Sequence, residues 1–459
     1  MIRQIEKNAK LTDEVRLEAL ESAIPYATLQ AVVREHDLQR QRKRKLSAEM
    51  GLLLSIGMNL LSGLSLGQVL MKLVQGLRFA WPEGDLAPAS KGAISQLRYE
   101  IGARPVVDLF HRVCRPMTDE HTPGAFLFGL RLMALDGADE TIADTPENVR
   151  VFGRHTSGRG EAGYPQLKAV YLEEVGAHAV VDAGFWPIHT GERKGGYRLL
   201  RSVGAGMLLM WDAGFHSFEM VKQTLARKAH FLGCLPAGVK LVPVRCLPDG
   251  SHLVYLTRSD HKGYIQQRSL VRLIEYTFTD PALPGSGERH RLITDLLDWR
   301  ACPALQLAQA YHERWEIEIT IDETDTHQRL AFHPLRSQKP VGVIQELYGL
   351  LLAHYAVRKV MWAAAQSAGL DPDRISFTNA LHLITAAIPE FQQTAPDQHP
   401  ALYQRLLEDI ARFHLPPRKP RINPRVVKRK MSNFDKKRPE HYHVPQPKSS
   451  FADAILILN

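Results

Sequence analysis

The sequence predicts an α/β protein with a helical front, a β-rich insertion and a basic end, and three observations carry that prediction. First, the short apolar runs LRLMALDG, AVYLEEV, AHAVVDAG and GMLLMWDAGF end in Gly or Asp, follow one another from about residue 126, and read as buried strands. Second, SFEMVKQTLARKA reads as a helix between GMLLMWDAGF and the further strand HFLGCL, and strand, helix and strand in that order imply parallel pairing. Third, between about 239 and 301 the runs LVPVRCLP, HLVYLTRS, SLVRLIEYTFTD and HRLITDLLD alternate apolar and polar residues, as strands with one solvated face do.

A chain of 459 residues with 44% hydrophobic content is long enough to bury at least one full core. Residues 1–125 are expected to form a helical domain, 126–395 the α/β core with the insertion at about 239–301, and 396–459 a basic tail. Long helices are expected over 303–330 and 341–366, and the Pro-Pro, Asn-Pro and Lys-Pro breaks make the segment from about 396 read as extended. The uncharged stretch 50–71 has the length of a membrane span. Asn59, Gln68 and the Ser-Gly-Leu-Ser break identify it instead as two buried helices. In ASKGAISQLRYEIGARPVVDLF two short amphipathic runs meet at IGARP, and both a helix-turn-helix-like DNA contact and an ordinary helical pair fit that pattern.

Basic residues exceed acidic ones by nine, which points to a polyanionic partner. Ten of the cations fall between Arg418 and Arg438 against one acid, Asp435, so that run alone holds a +9 excess. Cys114, Cys234, Cys246 and Cys302 are spread without a C-x-x-C pair, and neither a disulfide framework nor a zinc site is suggested. The beginning, MIRQIEKNAKLTDEVR, lacks the apolar core of a signal peptide, and a cytoplasmic location is expected.

The segment YHERWEIEIT is both apolar and acidic. On a helix with Tyr311 at zero, Arg314 falls at about 300° and Glu318 at about 340°, so the three share one face. Glu313, Glu316 and Glu323 point to the other, solvated side. Glu318 then stands in a narrow polar stripe between apolar borders, where a carboxylate needs a cation. An Arg314/Glu318 ion pair meets that need, and so does a metal.

Asp136 in LRLMALDG and Asp212 in GMLLMWDAGF end buried runs, and the crevice at such strand ends is where α/β folds place ligands. With Glu318 they make an oxygen set suited to a pair of magnesium ions. Taken singly, each aspartate is more often a cap or turn residue than a ligand. Asp182 is a competitor that a turn-like segment follows, while Asp139, Glu140 and Asp144 read as loop residues beyond Gly137.

Taken in order, LDGADETIADTPENVRVFG, GYPQLKAVYLEEVGAH, LLMWDAGFHS, HRLITDLLDWRACPALQLAQAYHERWEIE and PRVVKRK resemble the transposases of bacterial insertion sequence family four, over most of residues 125–430. The resemblance implies an RNase H-like core and an Asp136, Asp212 and Glu318 triad that is catalytic and holds two Mg²⁺, for which Mn²⁺ substitutes. It implies cleavage at the element's ends and joining to target DNA, with double-stranded DNA as partner, a homodimer in the synaptic complex and no membrane association. Tyr311, Arg314 and Glu318 fit the family's Y-x2-R-x3-E pattern, whose usual Lys seven residues further on is here Asp325, with Arg329 or Lys339 as substitutes. Tyr311 and Arg314 would hold a DNA phosphate, and Arg425, Lys428, Arg429 and Lys430 in the tail would clamp the backbone. A metal-dependent nuclease without strand transfer and an inactive DNA-binding relic are the alternatives.

Overall fold

The computed structural model describes residues 2–4, 10–39, 46–81, 89–157, 160–329, 333–416, 426–427 and 435–458. They form two compact units, the first Met1–Phe126, Ala134–Ser202 and Glu316–Leu415, the second Leu127–Met133, Val203–Trp315 and Pro416–Asn459.

The first unit opens with six helices, α1 (Tyr26–Glu35), α2 (Ala48–Leu60), α3 (Leu66–Leu73), α4 (Gln75–Ala80), α5 (Lys91–Ile101) and α6 (Arg104–Val113). The uncharged stretch divides as its composition implies. Ser65 caps α3 by accepting from Gln68 N, and the Gln68 side chain answers by accepting from Ser65 N at 2.9 Å. Among the described residues no helix is long and apolar enough to cross a membrane. Helices α5 and α6 are joined at Gly102, whose φ of 74° a side-chain-bearing residue rarely adopts.

Strand β1 (Leu130–Thr141) follows, then α7 (Pro146–Phe152), β2 (Gln166–Glu174), β3 (Ala179–Pro187) and α8 (Glu192–Leu199). The order here is β3-β2-β1, with β2 and β3 antiparallel in register from Leu167↔Pro187 to Glu174↔Ala179. His178 closes the β2–β3 corner at φ 52°.

In the second unit β4 (Met207–Trp211) and β5 (His230–Cys234) are parallel and joined by α9 (Phe218–Ala226), the strand-helix-strand element that the sequence predicts. The insertion adds β6 (Pro243–Cys246), β7 (His252–Ser259), β8 (Ile265–Phe278) and β9 (His290–Thr294), all antiparallel, before α10 (Ala304–Glu313). The order is β1-β4-β5-β9-β8-β7-β6. The fully buried Arg272 on β8 fastens the insertion: Nε donates to Ser251 Oγ at 2.8 Å, Nη1 to Cys302 O at 2.6 Å, and Nη2 to Asp249.

The chain then returns to the first unit, and the single helix expected over 303–330 is not continuous. A turn at Arg314 and Trp315 ends α10, helix α11 (Glu316–Asp322) starts after it, and a wider π-helical turn runs over Glu323–Gln328. Next come α12 (Pro340–Ala368), α13 (Phe377–Gln393) and α14 (His399–Arg412). Helix α14 corrects the expectation of an extended chain from about 396, because Pro400 sits in the first helical turn, where proline lacks only an N–H that would be orphaned anyway. Near the end of the chain β10 (Ile455–Ile457) pairs antiparallel with β8.

Helix α12 is the spine of the first unit, buried along most of its length and packed on α2, α6 and α14. Gly349 lets α2 approach, since a Cβ there would lie 2.2 Å from Ser55 O. Asn59 Nδ2 seals the contact by donating to Glu346 O at 3.2 Å. Lower down, Arg358 is buried with Glu323. Its Nη2 donates to Glu323 Oε1 and its Nε to Oε2 at 2.9 Å. His354 Nε2 lies 3.0 Å from the same Oε2, and Arg358 Nη2 also reaches His178 Nδ1 at 2.5 Å. Burial alone would raise the Glu323 carboxyl, but the Arg358 charge and the His354 hydrogen bond overcome it and hold it down at about 2.

Two stability outcomes follow. Gly349→Ala should cost about 1–3 kcal/mol by overpacking α2 against α12, read as a lower denaturation midpoint, and a variant as stable as the wild type would show that the helices part freely. Glu323→Gln leaves Arg358 buried without its counter-charge and should cost about 3–5 kcal/mol at pH 7. Because the folded-state pKa of Glu323 is depressed, its contribution is complete above the unfolded value of about 4.3 and fades as pH falls towards about 2. Chemical denaturation across pH 2–7 should therefore show the wild type losing an acid-range increment that Glu323→Gln lacks.

Candidate active site

Strand β4 is buried through Trp211, and Asp212 stands half-buried where the chain leaves the core. Its Oδ1 accepts from Gly214 N at 3.0 Å and Phe215 N at 3.3 Å, which turns the chain towards α9, while Oδ2 takes no hydrogen bond from the described residues. Tyr311, buried on α10, donates its hydroxyl to Trp211 O at 3.2 Å. Burial pushes that phenol well above its ordinary value, so it stays a neutral donor. Arg314 is buried with its guanidinium 5.7 Å from the centre of the Tyr311 ring. Neighbouring His312 is held down at about 4 by burial, and stacks on Phe451 beside Tyr276 and Phe278, so it is neutral at pH 7. The second unit thus assembles Asp212, Tyr311 and Arg314 around one strand end. Their arrangement suits binding of a cation beside a phosphate.

Asp136 and Glu318 belong to the first unit. Asp136 is half-buried and its Oδ1 accepts from Gly137 N at 2.7 Å. Contrary to expectation, β1 does not end there but runs on to Thr141, so Asp139 and Glu140 are strand residues, not loop residues. Partners across the strand explain the extension. Lys168 pairs with Asp139 and lies 2.9 Å from Glu192. Glu140 is buried, accepting from Tyr171 Oη at 2.9 Å and Arg329 Nη1 at 2.6 Å.

Glu318 is exposed on α11. Glu316 and Glu323, which the helical wheel puts on the solvated side, are instead half-buried and buried. The wheel assumes one unbroken helix, and the turn at 314–315 and the π turn each rotate the faces. Asp325, at the family's Lys position, has its carboxyl pushed up to about 7 by burial and by repulsion from Glu140, with Arg329 Nη1 3.0 Å away. Arg329 is thereby held between two carboxylates, and Lys339 lies 4.8 Å over the Tyr99 ring.

The competitor Asp182 is fully buried inside β3. Arg201 Nε and Nη2 donate to it at 2.8 and 2.7 Å, Ser202 Oγ at 2.6 Å and Ala183 N at 2.8 Å, which saturates both oxygens. His178, Glu316 and Asp373 also cluster, with His178 Nε2 3.0 Å from Glu316 and 2.9 Å from Asp373. An arginine only donates, so Arg358 fixes Nδ1 of His178 as the acceptor and puts the ring proton on Nε2, which then has no lone pair for an ion. The cluster is a charge network at the start of α11. Nothing local in the sequence marks it, because its members lie far apart along the chain. Arg425, Lys428, Arg429 and Lys430 lie outside the described residues.

Residues 14–111 match the family of the insertion element 4 transposase N-terminal domain, and residues 131–356 match the transposase DDE domain. The chain is 29% identical over 394 residues, 84% of its length and 86% of the relative's, to transposase InsG for insertion sequence element IS4 of Escherichia coli strain K12. It is 27% identical over 133 residues, 29% of its length and 44% of the relative's, to the putative transposase InsZ of the same strain. A solved chain of a piggyBac transposase synaptic complex with hairpin DNA overlaps 88% of this chain and 85% of its own at 13% identity and a TM-score of 0.41, a likeness too slight to carry weight. A DDE domain brings an RNase H-like α/β core and dependence on a divalent metal. The chain belongs to the insertion sequence family four transposases and is a DNA transposase of the DDE class.

Proposed function

We propose that the protein excises its element and joins it to a target by cut-and-paste transposition, with Asp136, Asp212 and Glu318 as the carboxylates that hold two Mg²⁺ ions, Mn²⁺ substituting. The observation that supports this most is the open Oδ2 of Asp212 at a strand end fastened to Tyr311, with Arg314 over the ring. Three carboxylates are the hard oxygen donors that Mg²⁺ prefers, so the residues fit the ions. Bound there, the ions would activate water and then the freed 3′-hydroxyl for in-line attack on a phosphodiester. Arg314 supplies forked hydrogen bonds to a DNA phosphate, and its burial keeps that charge in place before DNA arrives. Tyr311 holds the strand end and the helix at fixed spacing. The basic run from Arg418 to Arg438, with Arg425, Lys428, Arg429 and Lys430, clamps the backbone. Two copies on paired ends make the working dimer, in the cytoplasm and on the nucleoid.

A second reading, an inactive DNA-binding relic, is favoured by one observation: Asp325 reverses the family's charge, and the neighbouring Arg329 is held by Glu140 and Asp325. One experiment separates the readings. Supercoiled DNA carrying both element ends is incubated with Mg²⁺ or Ca²⁺ and wild type or Glu318→Gln. Cuts at the ends and joined products with Mg²⁺, reduced at least about 10³-fold in Glu318→Gln with DNA binding retained, are expected. Binding without cleavage by the wild type makes the relic the better account, and hydrolysis products without joined ones make it a nuclease.

The clamp makes its own prediction. Replacing Lys428, Arg429 and Lys430 with Ala should weaken binding to any duplex and lower the slope of log K against log salt by about 2.7. An unchanged slope would leave the run a solvated segment.

A further inference from the structure

The helix that carries Tyr311 ends without the residues that usually stop one. Arg314 N donates to Tyr311 O at 3.2 Å and Trp315 N to His312 O at 3.1 Å, which tightens the last turn. Arg314 itself keeps a φ of −54° and a ψ of −28°, so no left-handed residue closes that turn. Such a turn differs little from continued helix, and contacts from outside the helix have to select it.

Those contacts come from a strap near the end of the chain, residues 448–458, which lies in the same unit as α10. Both ends of the strap are fastened to the insertion. Asp280 Oδ2 accepts from Lys448 N at 2.7 Å and Ser449 N at 3.0 Å. Thr279 N donates to Ala454 O at 2.8 Å, and β10 pairs with β8 from Tyr276↔Ile457 to Phe278↔Ile455. Between these anchors Ser450 Oγ donates to Asp453 Oδ2 at 2.6 Å and accepts from Asp453 N at 3.1 Å, a tight turn that carries Phe451.

Phe451 stacks on His312 with ring centres 5.3 Å apart and planes 13° apart, and meets Trp315 edge-on at 4.9 Å. One ring therefore touches the residue two before Arg314 and the residue after it. Gln309, on the face of α10 that it shares with His312, adds a hydrogen bond from Nε2 to Ala452 O at 3.1 Å. Strap and helix end are thus joined on either side of the guanidinium-bearing residue.

We propose that Phe451 is a positioning residue: wedged on His312 and Trp315, it holds the turn after α10 and so aims Arg314 at the DNA phosphate. The proposal rests on the role that the transposition reading gives Arg314. Cleavage of a duplex bearing an element end is followed with Mg²⁺ at saturating protein for wild type, Phe451→Ala, Phe451→Tyr and Leu456→Ala. Leu456 belongs to the same strap but is 50% exposed on β10. Phe451→Ala should slow cleavage about tenfold to a hundredfold, the effect of a misplacement of about 1 Å, with the half-saturating protein concentration unchanged. Phe451→Tyr keeps the ring and should recover the rate, and Leu456→Ala should match the wild type.

A residue that acts through Arg314 has nothing left to act through once the guanidinium is gone. Phe451→Ala combined with Arg314→Ala should therefore be no slower than Arg314→Ala alone. Losses that multiply, a Leu456→Ala variant as slow as Phe451→Ala, or a Phe451→Ala variant as fast as the wild type each overturn the proposal. Hydrogen exchange reads the turn without any chemistry: the Arg314 and Trp315 amides should exchange up to about tenfold faster in Phe451→Ala, as loss of an aromatic contact allows. A wild type that binds the duplex but does not cut it overturns the transposition reading alone, and unchanged exchange in Phe451→Ala overturns the role of the strap.

Discussion

The buried Glu323–Arg358 pair is the interaction on which the first unit turns. A guanidinium and a carboxylate out of water are each expensive, and only close, bidentate pairing offsets that expense. Having been buried, the pair dictates what surrounds it. Arg358 Nη2 also reaches His178 at the β2–β3 corner, and Glu323 Oε2 also meets His354, a turn earlier on α12. The spine helix, the sheet corner and the segment after α11 are thus fixed by one charge pair. Helix α11, which carries Glu318, inherits its position from both ends, through Glu316 beside His178 at the start and Glu323 at the finish.

Which parts of this were legible in the sequence depends on how local the signal is. The β4-α9-β5 crossover and the alternating strands of the insertion were readable because period and turn residues lie within the segment itself. The break between α10 and α11 was not, since Arg314 and Trp315 carry neither Gly nor Pro and fit a helix as well as a turn. One unread turn then misplaced Glu316 and Glu323, whose partners His178, His354 and Arg358 are distant in sequence. Asp136 shows the converse error. The Gly after it suggests a strand end, yet Lys168, Tyr171 and Arg329 give the following acids partners and the strand continues. Asp212 was placed correctly because a strand end followed by Ala-Gly has no such support.

A comparison of Asp182 with Asp212 gives a physical criterion for preferring one strand aspartate over another. Both terminate apolar runs, and both are written Asp-Ala-Gly-Phe. Asp182 accepts from four donors over its two oxygens, two of them from an arginine, so its charge is already neutralised and its lone pairs are filled. Asp212 accepts from two backbone amides on one oxygen. A carboxylate that is to bind a cation must keep lone pairs open and lack a resident counter-ion, and of the two only Asp212 does.

Asp325 departs from the family pattern given above, and its surroundings limit what that departure means. A copy decaying without selection accumulates charges that fit nothing near them. Here the reversed charge has a counter-charge one turn along, Arg329 at i+4, and that arginine also neutralises buried Glu140. A lysine at 325 would place two cations beside one glutamate, so Asp325 and Arg329 make sense together. The charges around position 325 are therefore balanced locally, with Arg329 serving both carboxylates.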